Sequence, residues 1–323
     1  MQQYTPRLTA ENKHLLESVN PITVVFHDHC SDGSAAAWAA KQALSSKEDI
    51  QFHADQYNYW SLDIEACAGR DVLIVDFSYP EEKMIKLASV ANSVTVLDHH
   101  KKASDVLTPL LEKGVILGEF DKTRAGCLMT WDFFFDGEAP KLLQHASDRD
   151  LWQFKLPKTK EIIAAAMAHG FELSTWDNLM EMSLETLKEQ GEAICKARNK
   201  EMEDHIDASL IRMKVCGYVV PVIFAPYSWA SDICERIYSK EDVPFVVSVN
   251  YRGHAAGLSF RKKKGGSVDL NELAKQFGGG GHVDAAGGRV IKLSQLGRVI
   301  PKRPKTLMDK LYAMLGLNKG KAW

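Results

Sequence analysis

The chain has 323 residues, 45% of them hydrophobic and 25% charged, a composition that excludes a disordered chain and supplies apolar material for two cores. A formal net charge of −2 excludes a surface that traps polyanions as a whole, so any nucleic-acid contact has to be local. Cys30, Cys67, Cys127, Cys195, Cys216 and Cys234 lie scattered, with no CxxC pair and no secretory signal, which argues against a disulfide framework or thiolate zinc site and for a reducing cytoplasm as the expected location. No apolar run approaches the roughly 20 residues that span a bilayer, so no membrane partner is expected.

In chain order, "ITVVF" (22–26) is a continuous β-branched run, which is how a strand buried on both faces reads. It ends in "HDHCSDG", bringing His27, His29, Cys30 and Asp32, and passes into a helical stretch, "GSAAAWAAKQAL". A second run, "VLIV" (72–75), ends at Asp76 and leads to the helix-like "PEEKMIKLASVA"; a third, "VTVL" (94–97), ends in Asp98, His99 and His100; a fourth is "VILGEF" (115–120). This alternation predicts a doubly wound α/β domain with a mainly parallel sheet, whose ligands gather at the carboxyl ends of the strands.

Asp148 and Asp150 follow in "HASDRDLW", after another helix-like segment. Residues 182–213 carry apolar residues at helical intervals on a charged background and read as a connecting helix. Strand-like segments "YVVPVIFAPY", "VPFVVSVNYRG" and "AAGLSFRKKKGG" come next, then "DLNELAKQF" and the glycine run "GGGGHVDAAGG". The tail reads as a short basic amphipathic helix with Leu307, Leu311, Met314 and Leu315 on one face, packed on the body.

Carboxylates and imidazoles recur at three strand ends. A lone aspartate after a strand is usually a turn former or helix cap, and two histidines beside "KK" would alone pass for a polar turn. Threefold recurrence without a thiolate motif favours a divalent ion, Mn²⁺ first, with Mg²⁺, Fe²⁺ or Zn²⁺ as alternatives. A bridging carboxylate would hold two ions about 3.5–4 Å apart for in-line attack on phosphorus, so phosphoester hydrolysis is the expected chemistry. Ser34 in "DGS" lacks the GxSxG context of a nucleophile and is expected to cap a helix. The glycine run ending in His282 would let backbone N–H groups approach an anion. Arg261 suits a phosphate, and Lys262, Lys263 and Lys264 read either as a solvated hairpin or as further backbone contacts.

The ordered motifs "HDHCSDGSAA", "VDFS", "LDHHKK" and "ASDRDLW" resemble the DHH phosphoesterase superfamily, and "GLSFR" with "GGGGHVDAAGG" resembles its DHHA1 substrate-binding domain. The resemblance implies a DHH domain over 1–185, a connecting helix over 186–212, a smaller α/β DHHA1 domain with a mixed sheet over 213–298, and the tail over 299–323. It implies that His27, Asp32, Asp76, His99 and Asp148 hold metal, that His100 faces the scissile phosphate, and that Asp98 orients the histidines. Ser259, Arg261, Gly279, Gly280, Gly281 and His282 would contact the nucleotide. Where many members carry DxD in the first motif, Cys30 takes the first of those places; Cys30, His29 and Asp150 are therefore left open as ligands, and with them whether one or two ions bind. The implied activity is a metal-dependent 3′-5′ exonuclease on short single-stranded RNA or DNA. The alternatives are a phosphatase on a small nucleotide such as 3′-phosphoadenosine 5′-phosphate, a cyclic-dinucleotide phosphodiesterase, a polyphosphate hydrolase, and a decayed nucleotide sensor. Family members are often homodimers.

Overall fold

The structure, a computed structural model, describes residues 4–57, 60–253 and 255–300. It divides into two compact units, Met1–Arg198 and Asn199–Trp323. The tail positions Leu307, Leu311, Met314 and Leu315 lie outside the described residues.

Unit 1 runs α1 (Lys13–Leu16), β1 (Ile22–His27), α2 (Ser31–Ala43), β2 (Ile50–Asp55), β3 (Asp71–Val75), α3 (Glu81–Val90), β4 (Ser93–Asp98), α4 (Lys101–Glu112) and β5 (Leu117–Phe120). It continues through α5 (Gly126–Phe134), α6 (Lys141–Asp150), α7 (Thr159–His169), α8 (Leu173–Glu181) and the long α9 (Leu184–Ser209), in which the division between the units falls. The five strands form one parallel sheet in the order β2-β1-β3-β4-β5. The four strand runs of the sequence are all in it. The polar-interrupted β2 was not foreseen, because "IQFHAD" lies at the sheet edge and is only partly buried.

Side chains that alternate along each strand feed opposite cores, as the two-residue period of an extended chain requires. Ile22, Val24 and Phe26 face a core built on α2 and α5, whereas Val25, Ile74, Val94 and Val96 face one built with α3 and α4. Alanines 35, 36, 37, 39 and 40 of α2 are fully buried, so that helix lies close against the sheet and against α5. Since β1 leads outward to β2 while β3 leads the other way to β4, the chain reverses direction across the sheet between β1 and β3. That crevice is where open α/β sheets bind ligands.

Unit 2 comprises the end of α9, then β6 (Ile211–Val215), β7 (Tyr218–Phe224), α10 (Ala230–Lys240), β8 (Val246–Arg252), β9 (Ala255–Arg261), α11 (Leu270–Lys275), β10 (Gly280–Gly281), β11 (Ala285–Val290) and β12 (Arg298–Ile300). They form a mixed seven-stranded sheet, β10-β11-β9-β8-β7-β6-β12, with only β7 and β8 parallel. β12 pairs with β6, so residues 299 and 300, expected in the tail, belong to the sheet. Lys262 is also not part of a solvated hairpin: it is buried, 2.7 Å from Asp284, and donates to the Gly266 carbonyl, while Lys263 and Lys264 are exposed.

Candidate metal centre

The strand ends of unit 1 converge on one cluster. Three groups of ligand atoms lie within 4.8 Å of one another: His27, Cys30 and Asp76; Asp76, His99 and His100; and Asp32, His99 and Asp150. Asp76 and His99 are each shared, so the groups interlock into one centre around the crevice between β1 and β3.

Asp76 is its middle. It follows β3 with a φ of 51°, in the left-handed region that aspartate tolerates better than most residues, and its amide donates to the Leu97 carbonyl. One carboxylate oxygen lies 3.1 Å from His99 Nε2; the other lies 3.4 Å from His27 Nδ1. That second oxygen and His27 Nδ1 are both buried with no hydrogen-bond partner among the described residues. Two adjacent orphaned ligand atoms are what a cation would bridge. The site therefore fits a divalent ion.

Asp32 is placed by a contact distant in sequence. Its two carboxylate oxygens accept from the amides of Gly126, at 2.6 Å, and Cys127, at 2.9 Å, so the amino end of α5 orients the carboxylate. Glycine is needed at two positions around it. A Cβ on Gly126 would sit 2.5 Å from Asp76 Cβ, and one on Gly33 would sit 2.3 Å from the His27 carbonyl oxygen. Ser34, expected to cap the helix, lies inside α2, whose cap position is Cys30.

Asp98, the expected orienting group, is hydrogen-bonded to His100 and to the backbone of both histidines. One of its oxygens accepts from the amides of His99 and His100 and from His100 Nδ1 at 2.7 Å; the other accepts from Ser78 Oγ. It belongs to none of the three ligand groups. The histidines differ in access: the His99 side chain is 9% exposed and that of His100 is 31% exposed.

One position departs from the expectation. Asp148 stands apart from the ligand groups, its oxygens taking the amides of Lys155 and Leu156 and the Thr159 hydroxyl. Those bonds pin the turn between α6 and α7, in which Trp152, Phe154 and Lys158 all have positive φ. Asp150, left open from sequence, lies in a candidate ligand group with Asp32 and His99, 3.5 Å from His99 Nε2. His29 is likewise outside the centre, paired with Asp28 at 2.7 Å and 70% exposed. Cys30, left open from sequence, joins His27 and Asp76.

Electrostatically the centre is short of positive charge. Burial first, then the charges of Asp76 and Asp150, hold Asp32 well above the usual carboxylate range, and burial also raises Asp150. Burial raises Cys30 too, with Asp76, Asp150 and Asp32 adding to it. Asp76 moves the other way: burial opposes its charge, but the close His27 imidazole, the hydrogen bond from His99 and the imidazole charges outweigh it. Burial disfavours the cation of His99, yet the hydrogen bond and charge of Asp76 with the charges of Asp150 and Asp32 raise it to about 11. His100 rises to about 9, burial being outweighed by Asp98.

In unit 2, Ser259 is buried on β9 opposite Gly287 and Ser248. Arg261 Nε donates to Ser231 Oγ, and its Nη1 to the carbonyls of Phe260 and Ala286. The glycine run closes tightly on β11. A Cβ at Gly279 would lie 1.8 Å from the Gly287 carbonyl oxygen, and one at Gly281 would lie 2.6 Å from that of Ala285. Gly280 faces Asn271, whose Oδ1 accepts from the Gly281 amide, and the His282 amide donates to the Ala285 carbonyl.

These features define an α/β protein whose parallel sheet carries at its switch point a cluster of carboxylates and imidazoles that could hold a metal ion, followed by a mixed-sheet unit. Residues 223–303 match the family model of the DHHA1 domain. An uncharacterized protein of Acanthamoeba polyphaga mimivirus is 27% identical over 289 residues, a match covering 82% of this chain and 66% of the viral one, just under two thirds of its length. Among solved structures, RecJ of Thermus thermophilus in complex with Mn²⁺ aligns with a TM-score of 0.51 at 14% identity, over 95% of this chain and 58% of RecJ. A pGpG-specific phosphodiesterase, PggH of Vibrio cholerae, aligns with a TM-score of 0.47 at 13% identity, over 91% of this chain and 97% of that one. Residues 223–303 of the second unit thus carry a DHHA1 domain, and the likeness to RecJ shows a shared fold. Among the described residues no helix is long and apolar enough to cross a membrane.

Proposed function

We propose that the protein is a divalent-metal-dependent phosphodiesterase that acts as a 3′-5′ exonuclease on short single-stranded RNA or DNA and releases nucleoside monophosphates. The observation that carries the reading is the interlocking of three ligand groups through Asp76 and His99, a layout suited to two neighbouring cations. His27, Cys30, Asp76, Asp32, His99 and Asp150 are the proposed ligands. A divalent cation bound by them supplies charge to phosphoryl oxygens and acidifies water. Mn²⁺ is the proposed ion, since the sulfur of Cys30 is a soft donor that Mg²⁺ does not use.

His100 is proposed to face the phosphate. It is the most open of the converging imidazoles, and the Asp98 carboxylate on its Nδ1 leaves Nε2 to donate toward a phosphoryl oxygen. In unit 2, Arg261, Ser259 and the 279–282 segment are proposed to receive the nucleotide. A near-neutral chain suits short substrates, because affinity for long duplexes rests on many phosphate contacts.

The test uses the full chain with Mn²⁺ and end-labelled RNA and DNA of increasing length, together with cyclic dinucleotides, 3′-phosphoadenosine 5′-phosphate and pyrophosphate. Ladders that shorten from the 3′ end are expected. Phosphate release from the mononucleotide alone, or no turnover of any substrate, would overturn the reading.

A further inference from the structure

Tyr57 stands at the metal centre, and no motif of the sequence pointed to it. Its ring is enclosed by three others: Phe77 at 4.7 Å between centroids, His27 at 5.2 Å and His100 at 5.4 Å. It therefore touches both a proposed ligand and the imidazole proposed to face phosphate. The hydroxyl is buried; the Ser78 amide approaches its oxygen as a donor, and its own hydrogen has no acceptor among the described residues. Asp98, Asp76 and Cys30 are its charged or ionisable neighbours, and the last two belong to one ligand group with His27.

A buried hydroxyl whose hydrogen finds no acceptor is costly, and a phenylalanine of the same shape would avoid that cost. Asp98 offers it little, because four donors already occupy the two Asp98 oxygens. The atoms near it that lack partners are His27 Nδ1 and Asp76 Oδ2, the pair that a cation would join. The hydroxyl is thus a donor kept for something that arrives at the centre. A phenol is protonated at neutral pH and donates one hydrogen bond, and the anionic acceptor that phosphoester chemistry brings to this place is a phosphoryl oxygen.

We propose that the Tyr57 hydroxyl is a catalytic hydrogen-bond donor to an anionic phosphoryl oxygen of the substrate beside the His27–Cys30–Asp76 group. The inference rests on the phosphoester reading above and assigns a residue that reading does not contain.

The test is Tyr57→Phe in the full chain, which removes one oxygen and keeps the ring packing. Three quantities are measured: turnover of the best oligonucleotide substrate, affinity of the Mn²⁺-loaded protein for inorganic phosphate, and melting temperature in chelator. The expected result is a fall in kcat of roughly 100-fold, about tenfold weaker phosphate binding, and a melting temperature in chelator that is unchanged or higher. Unchanged kcat and phosphate affinity in an active protein would overturn the role of Tyr57 while leaving the exonuclease standing. A lower melting temperature in chelator with unchanged kcat would overturn it as well, by showing a structural partner for the hydroxyl. Tyrosine-dependent phosphate binding in a wild-type protein that cleaves no substrate would support the inference and overturn the exonuclease. Absence of both turnover and phosphate binding in the wild type would remove both.

Discussion

Asp148 and Asp150 sit two residues apart, and their substitution is expected to separate fold from metal. Asp148 is 6% exposed, and its carboxylate takes two backbone amides and the Thr159 hydroxyl. Hydrogen bonds to a charged group contribute about 1.5–3 kcal/mol each, and their loss is partly offset by water and relaxation. Asp148→Ala is therefore expected to cost about 2–4 kcal/mol. The turn that it pins holds Trp152, Phe154 and Lys158 at φ of 54°, 50° and 66°, conformations that cost about 1–3 kcal/mol each and persist only where the surroundings enforce them. For a unit of this size the loss corresponds to a fall of roughly 5–15 °C in melting temperature. Asp150→Asn should do the reverse. It removes one of three carboxylates that crowd the same centre, so the metal-free protein melts at the same temperature or higher. Mn²⁺ at a hundredfold excess over its Kd adds about 2.7 kcal/mol to the wild type, and most of that gain should vanish in Asp150→Asn. Thermal melts of both variants, in chelator and in Mn²⁺, decide the matter. If Asp148→Ala lost the Mn²⁺ shift with an unchanged melt in chelator, while Asp150→Asn kept the shift, Asp148 would be the ligand and this reasoning would be refuted.

Two further outcomes follow from the geometry. Gly126→Ala brings a methyl group to 2.5 Å from Asp76 Cβ and 3.1 Å from Asp32 Oδ2; it should destabilise by about 1–3 kcal/mol and weaken Mn²⁺ binding at least tenfold in titrations, and wild-type affinity would refute the close approach of α5. Because His99 is raised to about 11 and His100 to about 9, both imidazoles are expected to carry a proton at neutral pH in the metal-free protein. A cation must displace those protons, so Mn²⁺ affinity should rise with pH between about 6 and 9, with proton release visible as a buffer-dependent heat in calorimetry. An affinity that falls with pH, or heat independent of the buffer, would contradict the charge balance described for the centre.

What the sequence made legible was periodic or local. Strands buried on both faces announce themselves as β-branched runs, and a run that stops at Asp76 or at Asp98-His99-His100 places a polar group at a strand end without knowledge of the partner strand. β2 escaped because an edge strand has one open side and admits Gln51 and His53 into its run. Gly33, Gly126 and Tyr57 escaped for a different reason. Gly126 is glycine because Asp76, fifty residues earlier in the chain, lies where its Cβ would be, and the rings around Tyr57 come from β1, the end of β3 and the start of α4. Contacts of that kind leave no trace in spacing.

The exchange between Asp148 and Asp150 was within reach of the sequence. Helical residues two apart point some 200° from one another, so "SDRD" could send only one aspartate into the centre. The apolar stripe of α6 says which one. Leu143 and Ala146 are both fully buried in the core beside α2, and the residue that continues their face at i, i+3, i+7 is Asp150. Asp148 continues the face of His145, whose Nδ1 meets the same Thr159 hydroxyl that donates to Asp148. The motif resemblance located the segment, but it could not choose between two aspartates. The helical phase set by Leu143 and Ala146 does choose, and it assigns one aspartate to the metal centre and the other to the turn that holds it in place.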